Sequence, residues 1–152
     1  NLFISSRQMS DEFSSDLGFI RRTGIKSHFI KYGHRFWIDS KKIRSIELSQ
    51  QLYFVDTPNM SNLITDRNYE TQGQISFTNQ SRFEITYNRR FTFLLDDFDP
   101  VGGVNSIPLP ADNGFFYNDF EMQFSSNYTK NYYFNLKTTL GQFYSGNRVS
   151  LC

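Results

Sequence analysis

Residues 83–95 read Phe-Glu-Ile-Thr-Tyr-Asn-Arg-Arg-Phe-Thr-Phe-Leu-Leu, and polarity flips at nearly every step. Phe83, Ile85, Tyr87, Phe91, Phe93 and Leu95 fall on one side of a period of two, while Glu84, Thr86, Asn88, Arg90 and Thr92 fall on the other. Only Arg89 and Leu94 break the pattern. A helix, with its period of about 3.6, would scatter these residues around its circumference, whereas a strand sorts them onto two faces. The segment is therefore expected to be a strand with one apolar and one polar face.

Five further segments carry the same alternation less cleanly. The apolar positions are Ile30, Tyr32, Phe36 and Ile38 within residues 25–38, and Ile46, Leu48, Leu52 and Phe54 within 43–55. They continue with Tyr69, Ile75 and Phe77 within 69–79, then Phe116, Phe120, Met122 and Phe124 within 116–126. The last set, within 132–144, is Tyr132, Phe134, Leu136, Leu140 and Tyr144. Composition agrees, with 17 Phe, 9 Tyr and a single alanine, Ala111. Aromatic and β-branched side chains suit a pleated, half-buried surface, and helix formers are scarce. The expected fold is all-β, an antiparallel meander of about six long strands.

Strand length and link rhythm favour a partial transmembrane β-barrel over the alternative, a soluble β-sandwich. Ordinary strands run to about 5–6 residues. A strand of about 13, tilted near 40°, rises roughly 33 Å and crosses an apolar band of about 25 Å. Short links are expected at 39–42, 79–81 and 127–131, alternating with long ones at 56–68 and 96–115, as in barrels with tight turns on one side and loops on the other. The link at 145–148 is an exception, being short on the long-loop side. Aromatics gather at both ends: Phe36, Trp37, Phe77, Phe83, Phe124 and Tyr132 by the short turns, and Phe54, Tyr69, Phe93, Phe116 and Tyr144 by the long loops. Interfacial girdles have this layout.

Residues 1–24 are expected to be a lead-in and 25–152 a single incomplete domain of barrel strands. Six strands cannot close a bacterial barrel, whose smallest forms have about eight. The chain opens on Asn1, and alternation resumes after Arg148 only to stop. The expectation is a piece of something larger.

The chemistry-bearing residues are few. In the barrel reading Glu84, Asn88 and Arg90 line the lumen, while Phe83, Ile85, Tyr87, Phe91 and Phe93 face lipid. Arg89, near mid-strand on the apolar side, fits this worst. Asp96, Asp97 and Asp99 open the longest loop and are weak candidates for a calcium ion, although a turn-initiating cluster before Pro100 explains them as well. His28 and His34 share a face, but six residues along a strand is roughly 20 Å, too far for one metal. Gly102-Gly103 lacks the Lys-Ser/Thr of a phosphate loop. Asn59, Asn79 and Asn127 begin Asn-x-Ser/Thr triplets that chance explains in so Asn-rich a chain.

A net charge of +1 gives no bulk case for nucleic acid. The lone Cys152 excludes a disulfide framework within the chain. No catalytic motif, metal or cofactor signature is visible, so the chain is not expected to be an enzyme. The functions weighed are a segment of an outer-membrane barrel of unknown cargo, a secreted all-β glycan-binding domain, and, last, a hydrolytic enzyme on a β scaffold.

The residues Asp16-Leu17-Gly18-Phe19-Ile20-Arg21-Arg22-Thr23-Gly24 resemble a signature of the DUF5916 family. Phe98-Asp99, Ile107-Pro108, Gly114-Phe115-Phe116-Tyr117 and Phe143-Tyr144-Ser145-Gly146 extend the resemblance in order along the chain. Members are similar to large envelope proteins of Gram-negative bacteria, typically Bacteroidota, with a domain like family 9 carbohydrate-binding modules before a C-terminal membrane barrel. The resemblance implies an outer-membrane location and lipid as surroundings. It also implies the remaining barrel strands and an N-terminal domain as partners, and a link to carbohydrate binding or uptake. Residues 107–114 make a longer link than the family pattern, and no catalytic residue carries over.

Overall fold

The computed structural model describes residues 1–12, 23–60, 63–100, 102 and 107–152, so residues 16–22 of the family-like signature, including Arg21 and Arg22, lie outside the described residues, as does Gly103. The chain is all-β. Its strands are β1 (Leu2–Met9), β2 (Ile25–Trp37), β3 (Ile43–Thr57), β4 (Leu63–Phe77), β5 (Arg82–Leu94), β6 (Asn113–Ser125), β7 (Asn135–Phe143) and β8 (Gly146–Leu151). Every strand pairs antiparallel with its sequence neighbours, giving one eight-stranded meander in the order β1 to β8. It is not closed into a barrel, since β1 and β8 share no ladder. All eight strands belong to one sheet, so the second layer that a sandwich needs is missing among the described residues.

Six of the strands are those expected from alternation, and two are additions. β1 lies within the presumed lead-in and pairs in register with β2 from Leu2↔Tyr32 to Met9↔Ile25. Its sequence, Leu-Phe-Ile-Ser-Ser-Arg-Gln-Met, alternates too weakly to announce itself. β8 is the resumed alternation after Arg148, begun two residues earlier at Gly146. β4 also starts at Leu63 rather than near 69. The expected long link 56–68 is therefore only residues 58–62, with a 3₁₀ turn at Pro58–Met60. A bulge between Val55 and Asp56 shifts the register there and hides the period of two. The expected short link 127–131 runs over nine residues, 126–134, because β7 starts only at Asn135 and Tyr132 and Phe134 precede it; the long links that remain are 10–24 and 95–112.

Turn chemistry fixes the tight ends. The Asn79 Oδ1 accepts from the Ser81 N–H at 3.0 Å and from its hydroxyl at 2.6 Å, with Gln80 in the left-handed region at φ 69°. Asn127 does the same for Thr129, at 2.8 and 2.7 Å. Two of the Asn-x-Ser/Thr triplets are thus Asx turns.

Register sorts the side chains into two faces. One face carries an unbroken apolar row across six strands, Phe36–Ile46–Ile75–Phe83–Phe124–Leu136. The other carries Lys31–Gln51–Glu70–Asn88–Asp119 along another row. Their burial is inverted relative to a water-soluble domain. On the polar face Asn88 and Asp119 are each 2 % exposed, whereas on the apolar face Ile85 is 44 %, Phe120 49 % and Phe116 54 % exposed. In a single sheet this asymmetry means that the sheet curls around its polar face, which is concave, and leaves its apolar face convex. The only buried hydrophobic residues described, Val55, Leu94 and Tyr117, lie on the concave side.

Candidate functional site

The concave wall is built mainly by β3 to β7. Antiparallel register sets Asn88 opposite Asp119, and the Asn88 Nδ2 donates to the Asp119 Oδ1 at 2.8 Å. One position along, Arg90 reaches diagonally to Asp119 at 2.9 Å and to Glu121 at 4.0 Å. Lys137 on β7 closes on the other oxygen of Glu121 at 2.5 Å. Across β3, β4 and β5 a second chain runs from the Ser49 hydroxyl to Gln72 at 3.4 Å, then from the Gln72 amide to Glu84 at 3.3 Å, with Arg82 3.5 Å from Glu84. Nearer the short turns, Arg35 grips Glu47 through Nε at 2.8 Å.

The three residues expected to line a lumen, Glu84, Asn88 and Arg90, therefore share one face and join these networks. Asp119, Glu121 and Lys137 complete them and were not singled out by sequence. The alternation of Asp119 and Glu121 with Phe120 and Met122 marks their face. Only the β5–β6 register shows that Asp119 meets Asn88 and Arg90. The side-chain oxygens of Asn68 and Asn88 are buried on this wall with no protein partner. Such a group costs about 1–3 kcal/mol unless water reaches it.

At the long-loop end the wall becomes aromatic. Phe98, from the loop 95–112, bridges to Leu109 through paired backbone hydrogen bonds of 3.0 and 2.8 Å. Its ring stands 5.3 Å from that of Tyr144, which lies 5.8 Å from Phe115, 5.2 Å from Tyr117 and 4.9 Å from Phe143. Expected in the outer girdle, Tyr144 instead turns inward. It sits in the tight β7–β8 turn with φ 52°, so the alternation of β7 no longer governs its direction. Trp37 also departs from the girdle. Register places it opposite Ser45 on the polar face, where Arg35 and Arg44 approach its ring at 5.6 and 5.7 Å.

Of the acidic residues that open the long loop, Asp97 is held by the backbone. The Asp97 Oδ1 accepts from the Ala111 N–H at 2.7 Å and so ties the two ends of the loop together. Among the described residues no three His, Cys, Asp or Glu side chains are grouped to hold a metal. On the convex face His28 stacks on Phe54 at 4.5 Å and lies 3.3 Å from Asp56, while His34 packs 4.4 Å from Phe36.

Phe83, Ile85, Tyr87, Phe91 and Phe93, expected to face lipid, share the convex face of β5 by register. Tyr87 and Phe91 pack on Phe120 and Phe116 of β6 at 4.8 and 4.6 Å. Arg89 is on this face too, opposite Tyr69 and Asn118. No described helix is long and apolar enough to cross a membrane, which leaves spanning by strands untouched. No family model, curated protein or solved structure matches the chain.

Proposed function

We propose that this chain is a stretch of wall from an outer-membrane-type β-barrel, its concave face toward an aqueous lumen and its convex face toward lipid. The observation that carries this reading is the inverted burial: polar side chains line the sheltered side of a curved single sheet, and large apolar ones cover the open side. In water, such a convex face would be a liability far beyond the few hundred Å² of apolar patch that monomers tolerate. In lipid, each fully covered Phe, Leu or Ile stabilises by roughly 1.5–3 kcal/mol. An aqueous lumen likewise hydrates the buried oxygens of Asn68 and Asn88.

β2 to β6 each run 13–15 residues, long enough for a tilted crossing. The meander is the connectivity of such barrels. Arg89 is the residue that resists the reading, because a lipid-facing arginine costs about 2–4 kcal/mol at the bilayer midplane and about 0–1 near its surface. A long side chain that snorkels toward the long-loop end moves its charge toward that surface.

Membership of the DUF5916 family, with its link to carbohydrate, belongs to the same proposal. It is supported by the resemblance and by the meeting of Phe98, Phe115, Tyr117, Phe143 and Tyr144, all from the resembling segments, at the lumen mouth. The test is fractionation of the intact protein. It should partition with outer membranes, need detergent for extraction, and run at a different gel mobility before and after boiling. A soluble monomer without detergent would overturn the reading.

A further inference from the structure

We propose that Arg67 and Arg89 form a binding site on the convex face for the phosphate-bearing headgroup of a membrane amphiphile. This rests on the convex face being lipid-exposed. The two arginines are diagonal neighbours on adjacent strands, since Arg67 stands opposite Phe91 and Arg89 opposite Tyr69. Diagonal pairs are roughly 7–8 Å apart, so two like charges share a small area. Both residues are exposed, and neither has a carboxylate partner among the described ion pairs. On the concave face four basic groups, Arg35, Arg82, Arg90 and Lys137, are paired with acids.

The surroundings are shaped for an amphiphile. A cleft of about 340 Å³ is lined by Arg67, Tyr69, Arg89, Phe91 and Phe116 of this face, with Arg90, whose guanidinium is paired with Asp119 on the other face, at its edge. Its floor is fixed, because the Phe91 ring lies over Gly114, where a Cβ would stand only 2.7 Å from Phe91 Cε2. Phe91 packs on Phe116 at 4.6 Å, and the Arg67 guanidinium sits 5.7 Å above the Phe91 ring. Tyr87 donates to the Asn118 Oδ1 at 3.0 Å beside Arg89. Two forked guanidiniums can each give a phosphate two parallel N–H···O bonds, while the rings below take the adjoining hydrocarbon. The fully apolar row lies toward the short turns and the charged cleft toward the long loops, so headgroup and chains have separate places on one surface.

The test uses the intact protein in an uncharged detergent, with bound lipid read by native mass spectrometry. The probes are phosphatidylglycerol, a phosphate-free galactosyl diacylglycerol of equal chain length, and inorganic phosphate. The wild type should prefer phosphatidylglycerol by about tenfold or more, and the double variant R67Q/R89Q should lose that preference. R67K/R89K, which keeps the charge and loses the fork, should retain part of it. Boiling-dependent gel mobility and partition into membranes are measured on every variant, and a glutamine variant that does not fold is replaced by the two single ones. An unchanged preference in the folded glutamine variants would overturn the site while the barrel reading stands. Displacement of the lipid by equimolar inorganic phosphate would overturn the lipid as occupant. Failure of the wild type to enter membranes would remove the barrel reading and the site with it.

Discussion

The two faces of the sheet from β4 to β7 come from alternate residues of the same strands in one register, yet they settle their charges in opposite ways. On the concave side Arg90 and Lys137 pair with Asp119 and Glu121 within a few ångströms, and the Asn88 amide donates to Asp119 as well. On the convex side Arg67 and Arg89 stand among aromatic rings with no acid partner described. The difference teaches that alternation alone does not say which face is inside. A strand in water and a strand in lipid carry the same period of two, and only the direction of curvature distinguishes them.

The sharpest way to break the comparison is to move a charge from one face to the other. Ile85→Arg, on the convex face, should cost about 2–4 kcal/mol in lipid vesicles, whereas Thr86→Arg next to it should change stability by less than about 1 kcal/mol. Urea unfolding of the refolded intact protein measures both, and equal effects would mean that the faces see the same solvent. Asp119→Ala should come next, at about 1.5–3 kcal/mol, because Arg90 and the Asn88 amide lose their shared acceptor together. If Asp119→Ala is combined with Arg90→Leu, much of that loss should return, since no unpaired guanidinium remains.

Gly114→Ala should cost about 1 kcal/mol, the Phe91 ring having to swing off the added methyl. The same substitution should loosen the Arg67 contact with that ring. The smallest effect is expected from Arg89→Leu. In an uncharged bilayer it should leave stability unchanged or raise it by up to about 1 kcal/mol, because the side chain starts near mid-strand but its length already carries the charge toward the long-loop end. Destabilisation by that variant would place Arg89 against protein rather than lipid.

Much of the fold was legible because six strands announce themselves by period. What stayed hidden had physical causes. β1 alternates poorly, since Phe3 shares its face with Ser5 and Arg7, so nothing marked it as a strand apart from its partner β2. The start of β4 was masked by a bulge and by Asp66 and Arg67 near its beginning. At the site, the polar face of β5 was readable residue by residue, but pairing Asn88 with Asp119 requires a register that spans the link 95–112, and no local signal sets it. Tyr144 was misplaced because turn geometry overrode the strand period.

The pure meander also has a kinetic meaning. Each strand pairs only with its neighbours in the chain, so the sheet can grow by adding one hairpin at a time without waiting for distant partners. The rate should be set where the chain must search longest, at the β5–β6 closure across residues 95–112. Relative to the four-residue β4–β5 turn at 78–81, that closure costs about 1.3 kcal/mol more in loop entropy. The bridge between Phe98 and Leu109 pins the loop near its base, three residues in from each end. Once formed, that small knot of backbone would act as a nucleus for docking β6, making the longest link between the described strands a guide for its own assembly.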